Sequence, residues 1–159
     1  MIATMARQPR QPSHGRPTSR DDRHISQAGV IPWWSTSDGR VEVLLVTTTG
    51  GRGWTIPKGN VPGGVSPKRA AAREAFEEAG LLGRVGEWMG SYGYRKQGAW
   101  RNVAVYPMEV AVTLPLWPEA FKRERRWMTL EDAMTAVRHE GLRGCLALLA
   151  NGRLQTAQA

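Results

Sequence analysis

Three carboxylates, Glu74, Glu77 and Glu78, stand at i, i+3 and i+4. At about 100° per residue, a helix carries them within one arc of roughly 100°. Like charges this close repel, which is destabilising unless a cation offsets them. Lys68, Arg69 and Arg73 on the same segment could do so, leaving a solvated acidic face. A hard divalent cation could do so too, with water and substrate phosphate completing its coordination. The stretch immediately before favours the second reading. Pro57-Lys-Gly-Asn-Val-Pro-Gly-Gly64 is glycine-rich, so its backbone can approach a phosphate closely. A metal held between carboxylates and a pyrophosphate can polarise phosphorus and activate water. The chemistry indicated is hydrolysis of a phosphoanhydride assisted by Mg²⁺ or Mn²⁺.

The glutamates need a helix with defined ends. Ser66-Pro67 is a start signal, serine capping and proline suiting the first helical position, and Gly80 is a stop. Between them Ala72, Ala75, Phe76 and Ala79 predict an apolar stripe facing the core. Upstream, residues 28–34 and 41–49 read as strands around a turn at Ser37–Arg40, and the apolar run Val43–Val46 predicts burial on both faces, hence a sheet between helices. Downstream, residues 84–94 and 100–113 read as two strands joined by a turn at 96–98, and residues 127–130 as a short one. Within Val103–Val112 the apolar alternation changes phase, which predicts a bulge at 106–108. Closing helices are expected over 130–138, capped by Thr129, and over 142–150.

The chain has 159 residues, one domain's worth, and no apolar run approaches the roughly 20 residues that span a bilayer. A membrane protein is excluded. One cysteine excludes an internal disulfide and argues for a reducing compartment, from which a cytoplasmic location is expected. Cys145, in an apolar run, reads as an inert buried thiol. The net charge of +8 favours anionic partners. Residues 1–26 carry five arginines against two aspartates and are broken by Pro9, Pro12, Gly15 and Pro17, so a disordered basic tail is expected, followed by one domain over 27–159. The tail's arginines and serines suit a transit peptide, but the apolar helical stripe is missing. No histidine cluster for zinc is present in the sequence.

Gly59, followed by Arg73-Glu-Ala-Phe-Glu-Glu-Ala-Gly-Leu81, resembles the Nudix box, G-x5-E-x7-R-E-U-x-E-E-x-G-U. Trp54-Thr-Ile-Pro-Lys-Gly59 is similar to the W-x-x-P-K-G opening of the Nudix subgroup acting on diphosphoinositol polyphosphates and diadenosine polyphosphates. The resemblance implies an α/β fold, a Nudix-like α/β/α sandwich with a mixed sheet. It implies Glu74, Glu77 and Glu78 as metal ligands, one of them a possible general base, and Arg73 as a charge partner that positions a glutamate. The implied activity is hydrolysis of a phosphoanhydride in a nucleoside-diphosphate-linked or polyphosphorylated small molecule. Val65 stands where the box has its first glutamate, which removes one anionic donor. That substitution raises an alternative, a catalytically impaired domain that binds a nucleotide or RNA in a regulatory role.

Further candidates surround the box. Lys58 and Gly59 are expected at a substrate phosphate. Arg95, Lys96 and Arg101, interleaved with Tyr94 and Trp100, could clamp phosphates and stack a base. Glu109 is a candidate fourth ligand or base, since some Nudix proteins take a glutamate from beyond the box and a bulge could re-aim it. Lys122–Arg126 reads as a charged loop before a strand, and His139 as a charge partner at a helix end. Trp33, Trp54, Trp88 and Trp127 are expected in the core.

Overall fold

The run Val43–Val46 is fully buried, its odd residues facing one apolar cluster and its even residues another. It belongs to a computed structural model that describes residues 23–157. Among these, the elements in chain order are β1 (His24–Ser35), β2 (Val41–Thr47), β3 (Trp54–Thr55), β4 (Lys58–Asn60), α1 (Pro67–Ala79), β5 (Leu81–Val85), β6 (Gly90–Lys96), β7 (Ala99–Thr113), β8 (Arg125–Thr129), α2 (Leu130–Ala136) and α3 (Glu140–Ala157). The described strands form one mixed sheet with a central path β3-β2-β1-β7-β5. β1 and β7 are parallel, and their neighbours pair antiparallel. Helix α1 covers one face, while α2 and α3 cover the other, which is the expected α/β/α sandwich.

Several expectations change. The proposed tail lies outside the described residues as far as residue 22, but His24–Ser26 already pair with Trp100–Asn102, so the boundary at 26 falls inside β1. Backbone pairing supplies there what the polar side chains gave no sign of. The stretch 84–94 is not one strand; β5 ends at Val85 and β6 begins at Gly90. No bulge occurs at 106–108, where the β1–β7 register runs unbroken. Val103 and Val105 face the α2/α3 side, whereas Tyr106 and Met108 face α1. The phase change therefore records which layer is apolar at each point along a strand covered on both faces. The actual irregularity is further on, where Leu82 pairs Val112 but Gly83 pairs Val110.

The ends of α1 are as expected. Ser66 Oγ accepts from the Arg69 amide, Pro67 opens the helix, and Gly80 closes it at φ 64°, donating to the Ala75 and Phe76 carbonyls. The buried stripe is different: Ala70, Ala71, Ala75, Glu78 and Ala79 face inward, and Phe76 is exposed. Trp88 is also exposed, at 60%, whereas Trp33, Trp54 and Trp127 pack against the core clusters. Cys145 is buried, as expected, and burial raises its thiol pKa.

Candidate functional site

The alanine face of α1 sets the glutamates against the sheet. Glu78, 5% exposed, accepts a hydrogen bond from the Lys58 amide of β4 at 3.2 Å. Glu74 lies one turn earlier, over Gly59, where an added Cβ would collide with its carboxyl group. Gly59 is thus required by the carboxylate above it, and the short strand β4 is the shelf on which two helix residues rest.

The third carboxylate is one the box does not contain. Oxygens of Glu74, Glu78 and Glu119 lie within 4.8 Å of one another. Glu119 belongs to the connection between β7 and β8, which folds over the end of α1: the Glu119 amide donates to the Glu77 carbonyl at 3.0 Å, and the Leu114 amide to the Gly80 carbonyl at 2.8 Å. Arg125 fastens the same connection, donating at 2.6 Å to both the Ala79 and Leu114 carbonyls with Trp117 stacked 3.9 Å from its guanidinium. Arg123, 12% exposed, pairs with Glu78 at 3.2 Å and Glu119 at 3.0 Å and donates to the Thr47 carbonyl at 2.9 Å. Much of the basic run at 122–126 is therefore internal wiring.

Burial raises the Glu74 pKa, reinforced by the Glu77 and Glu119 charges. Burial also pushes Glu78 up to about 7, against the opposing pull of Arg123 and the Lys58 amide. Burial acts upward on Glu119 too, but hydrogen bonds from Arg123 and Lys122 outweigh it and leave that carboxyl lowered. Hard carboxylate oxygens that are crowded and half desolvated are a donor set that suits Mg²⁺ or Mn²⁺.

Of the predicted ligands, the structure brings Glu74 and Glu78 together, while Glu77 lies on the outer flank, paired to Arg73 at 2.8 Å. Arg73 thus positions Glu77 and not the inner pair. Glu109 is not brought to the cluster. It stands opposite Trp33 in the sheet and pairs with exposed Arg84 at 2.9 Å. Without the bulge at 106–108, nothing turns it inward. Val65 is half-buried against the α1-side core.

Beside Glu78 opens a cleft of about 450 Å³. Lys58, Arg95, Lys96 and Arg101, all predicted, line it with Arg52, Arg123 and Arg138, and Glu78 is the one carboxylate among these lining residues. Lys58 has its pKa lowered by burial, and its ammonium lies 5.0 Å from the Tyr94 ring centroid. The Tyr94 hydroxyl donates to Gln27 at 2.8 Å, and Gln27 in turn donates to Asn60 at 2.9 Å, which fixes the ring as a platform. Arg95 lies over Trp100, at 5.5 Å from its ring. His139 is not a charge partner at the C-terminal end of a helix; it immediately precedes α3, its carbonyl accepting from the Arg143 amide at 3.0 Å, and its ring stacks on Tyr92 at 6.0 Å and lies tilted against Tyr94 at 5.2 Å. Glu119, Arg52 and Arg138 were missed because they come from connections without periodicity, where sequence carries no signal of convergence.

A mixed sheet between helices, with clustered carboxylates at the edge of a cationic cleft, fits a hydrolase of phosphorylated small molecules. Comparison with known proteins gives the family. The NUDIX domain profile matches residues 12–149. The chain is 33% identical over 144 residues to Nudix hydrolase 18, mitochondrial, of Arabidopsis thaliana, covering 85% of this chain and 82% of that protein. It is 35% identical over 96 residues to diphosphoinositol polyphosphate phosphohydrolase 2 of Rattus norvegicus, covering 58% and 52%. The fold matches that of a C. elegans Ap4A hydrolase with a TM-score of 0.68 at 24% identity, over 80% of this chain and 96% of the other. The chain belongs to the Nudix hydrolase family, and its class of reaction is hydrolysis of a phosphoanhydride. The cytoplasmic expectation is overturned: Nudix hydrolases 16, 17 and 18 of Arabidopsis thaliana carry "mitochondrial" in their names. A lone cysteine argues against an oxidising compartment without choosing among reducing ones. No helix among the described residues is long and apolar enough to cross a membrane.

Proposed function

We propose that this chain hydrolyses a small molecule carrying several linked phosphates, using Mg²⁺ or Mn²⁺ held by Glu74, Glu78 and Glu119. The observation that carries this reading is the cleft opening directly beside the carboxylate cluster, lined by six lysines and arginines besides Arg123, which Glu78 and Glu119 engage. One pyrophosphate needs far less positive charge. Bound there, the metal would neutralise charge developing on the phosphoryl oxygens and lower the pKa of water. Lys58, Arg52 and Arg101 hold the phosphate chain, and Tyr94 gives it a flat wall. Arg73 holds Glu77 on the outer flank at 2.8 Å, where the Glu77 charge adds negative potential at Glu74. Glu119, from outside the box, supplies a third carboxylate, so the site has three acidic donors although Val65 is not one of them.

The test is a substrate series with one, two and more phosphoanhydride bonds, assayed with Mg²⁺ and with Mn²⁺. Catalytic efficiency is expected to climb with phosphate number and to fall with added salt. A preference for a singly linked nucleotide sugar, insensitive to ionic strength, would overturn the reading. Inactivity toward every substrate, with retained binding of nucleotides or RNA, would favour the regulatory alternative raised by Val65.

A further inference from the structure

We propose that His139 is a further ligand-binding residue of the cleft, one that takes up a proton as a polyanion enters and so favours ligands of higher negative charge. The inference rests on the polyphosphate reading above and concerns how that cleft discriminates among anions.

His139 is exposed and lines the cleft, so a ligand can reach its ring. Its imidazole is tilted against Tyr94 at 5.2 Å, the same ring that Lys58 approaches at 5.0 Å. An ammonium and an imidazole thus converge on one aromatic platform whose hydroxyl is tied to Gln27. The Tyr92 ring is 6.0 Å from the imidazole and 6.3 Å from the Tyr94 ring, so the three rings form one cluster.

The charged surroundings are one-sided. Lys58 comes from β4 and Arg101 from β7, while β6 adds Arg95 and Lys96 beyond Tyr94. Arg52, from the connection between β2 and β3, and Arg138, preceding His139, complete the wall. The acid lining the cleft, Glu78 of α1, is engaged by Arg123. From α3 come exposed Glu140, next in the chain, Arg143, whose amide donates to the His139 carbonyl at 3.0 Å and whose guanidinium is tied to the Met134 and Val137 carbonyls, and the neutral buried thiol of Cys145, in the same apolar cluster as Tyr92. Burial and the Lys58 charge together hold the imidazole below the usual histidine range.

In the free protein His139 therefore favours its neutral form more than an ordinary histidine does, although it stands in a site built for anions. Several negative charges placed on Lys58 cancel the field that opposes protonation. The proton is drawn from solvent, and the imidazolium adds one more cation to the grip. A ligand with a single charge cancels less of the field and gains less. By linkage, binding of the more anionic ligand tightens as pH falls.

The test uses the full chain in EDTA, so that nothing is hydrolysed, with ¹³C-labelled histidine followed by NMR and His139 assigned from the His139→Gln spectrum. The probes are diadenosine tetraphosphate and nicotinamide adenine dinucleotide, whose bridging phosphates do not titrate near neutrality. Diadenosine tetraphosphate is expected to raise the proton affinity of His139 about tenfold, and the dinucleotide much less. The ratio of their affinities should grow roughly fivefold from about pH 8 to 6 in the unmodified protein. It should rise clearly less in His139→Gln and in His139→Phe, the second of which keeps a ring on Tyr92 and Tyr94, the rise left in both belonging to Glu78, which titrates at about 7 in the same cleft. Tight binding of diadenosine tetraphosphate with the His139 titration unmoved would overturn the inference alone. So would an affinity ratio that rises as much in both variants as in the unmodified protein. Failure of the cleft to bind the tetraphosphate at all would bring down the polyphosphate reading with it.

Discussion

The two faces of the sheet are built from different materials. Against α2 and α3, large side chains fill the space: Ile31, Ile56, Tyr92, Leu142 and Leu146 are all buried there. Against α1, the apolar residues that the helix buries are alanines, Ala70, Ala71, Ala75 and Ala79, and with Glu78 they face Ala28, Val30, Leu44, Tyr106 and Met108. Small side chains let a helix lie close to what it packs on. Only a close helix can rest Glu78 on the Lys58 amide and Glu74 over Gly59. The thick layer stabilises the molecule; the thin layer sets the position of the chemistry to a fraction of a side chain. Damage to the two should therefore separate into lost stability and lost activity.

The largest loss is expected where the thin layer presents its carboxylates. Glu74→Gln and Glu78→Gln should each lower turnover beyond the roughly 10–100-fold typical of groups that merely orient a ligand. Divalent binding, followed by Mn²⁺ titration, should weaken in parallel. Unchanged Mn²⁺ affinity in both variants would remove the cluster from the mechanism.

Glu78→Gln carries a second signature in stability. The carboxyl sits at about 7 in the folded protein because burial raises it from 4.5. Between those values the folded form keeps a proton that the unfolded form has released. The unfolded state then binds fewer protons, so the contribution of Glu78 to stability falls as pH rises through this window. Urea melts in EDTA should show Glu78→Gln gaining on the unmodified protein from about pH 4.5 to 7, with the gap level above that range. A constant gap would mean that Arg123 fully compensates the burial.

Next in size is the shelf. Gly59→Ala puts a methyl group where the Glu74 carboxyl lies, and activity should fall by roughly 10–100-fold, as for loss of an orienting partner. The fold should survive, because the flexible end of Glu74 can move.

The direct contrast between the faces comes from one substitution in each. Ala75→Leu overpacks the thin layer and should cost about 1–3 kcal/mol while displacing both inner glutamates and removing most activity. Leu146→Ala hollows the thick layer and should cost about 2–5 kcal/mol, yet leave kcat nearly unchanged below its lowered Tm. Equal loss of kcat in both would show that the two faces are not separable.

The smallest effect is expected at Glu109→Gln. Its ion pair with Arg84 is exposed, and such pairs contribute about 1 kcal/mol or less. Activity should be unchanged; a large loss would restore Glu109 as a working residue.

Sequence alone determined the local frame. Ser66-Pro67 and Gly80 bound α1 because capping is a matter of adjacent residues, and the run Val43–Val46 announced a strand covered on both faces because burial there is continuous. The spacing of Glu74 and Glu78 placed two carboxylates one above the other, since a helix returns to the same face after one turn. Tertiary structure decided the rest. The same periodicity could not say that Glu77 would turn outward to Arg73, nor that Glu78 would occupy the inward stripe while Phe76 faced solvent. Glu119, Arg123 and His139 lie in connections, and they reach the site only because the β7–β8 chain folds over α1 and α3 begins beside Tyr94. Local signals fix what neighbouring backbone groups must do for one another, whereas convergence across dozens of residues is set by packing, which no single stretch of sequence encodes.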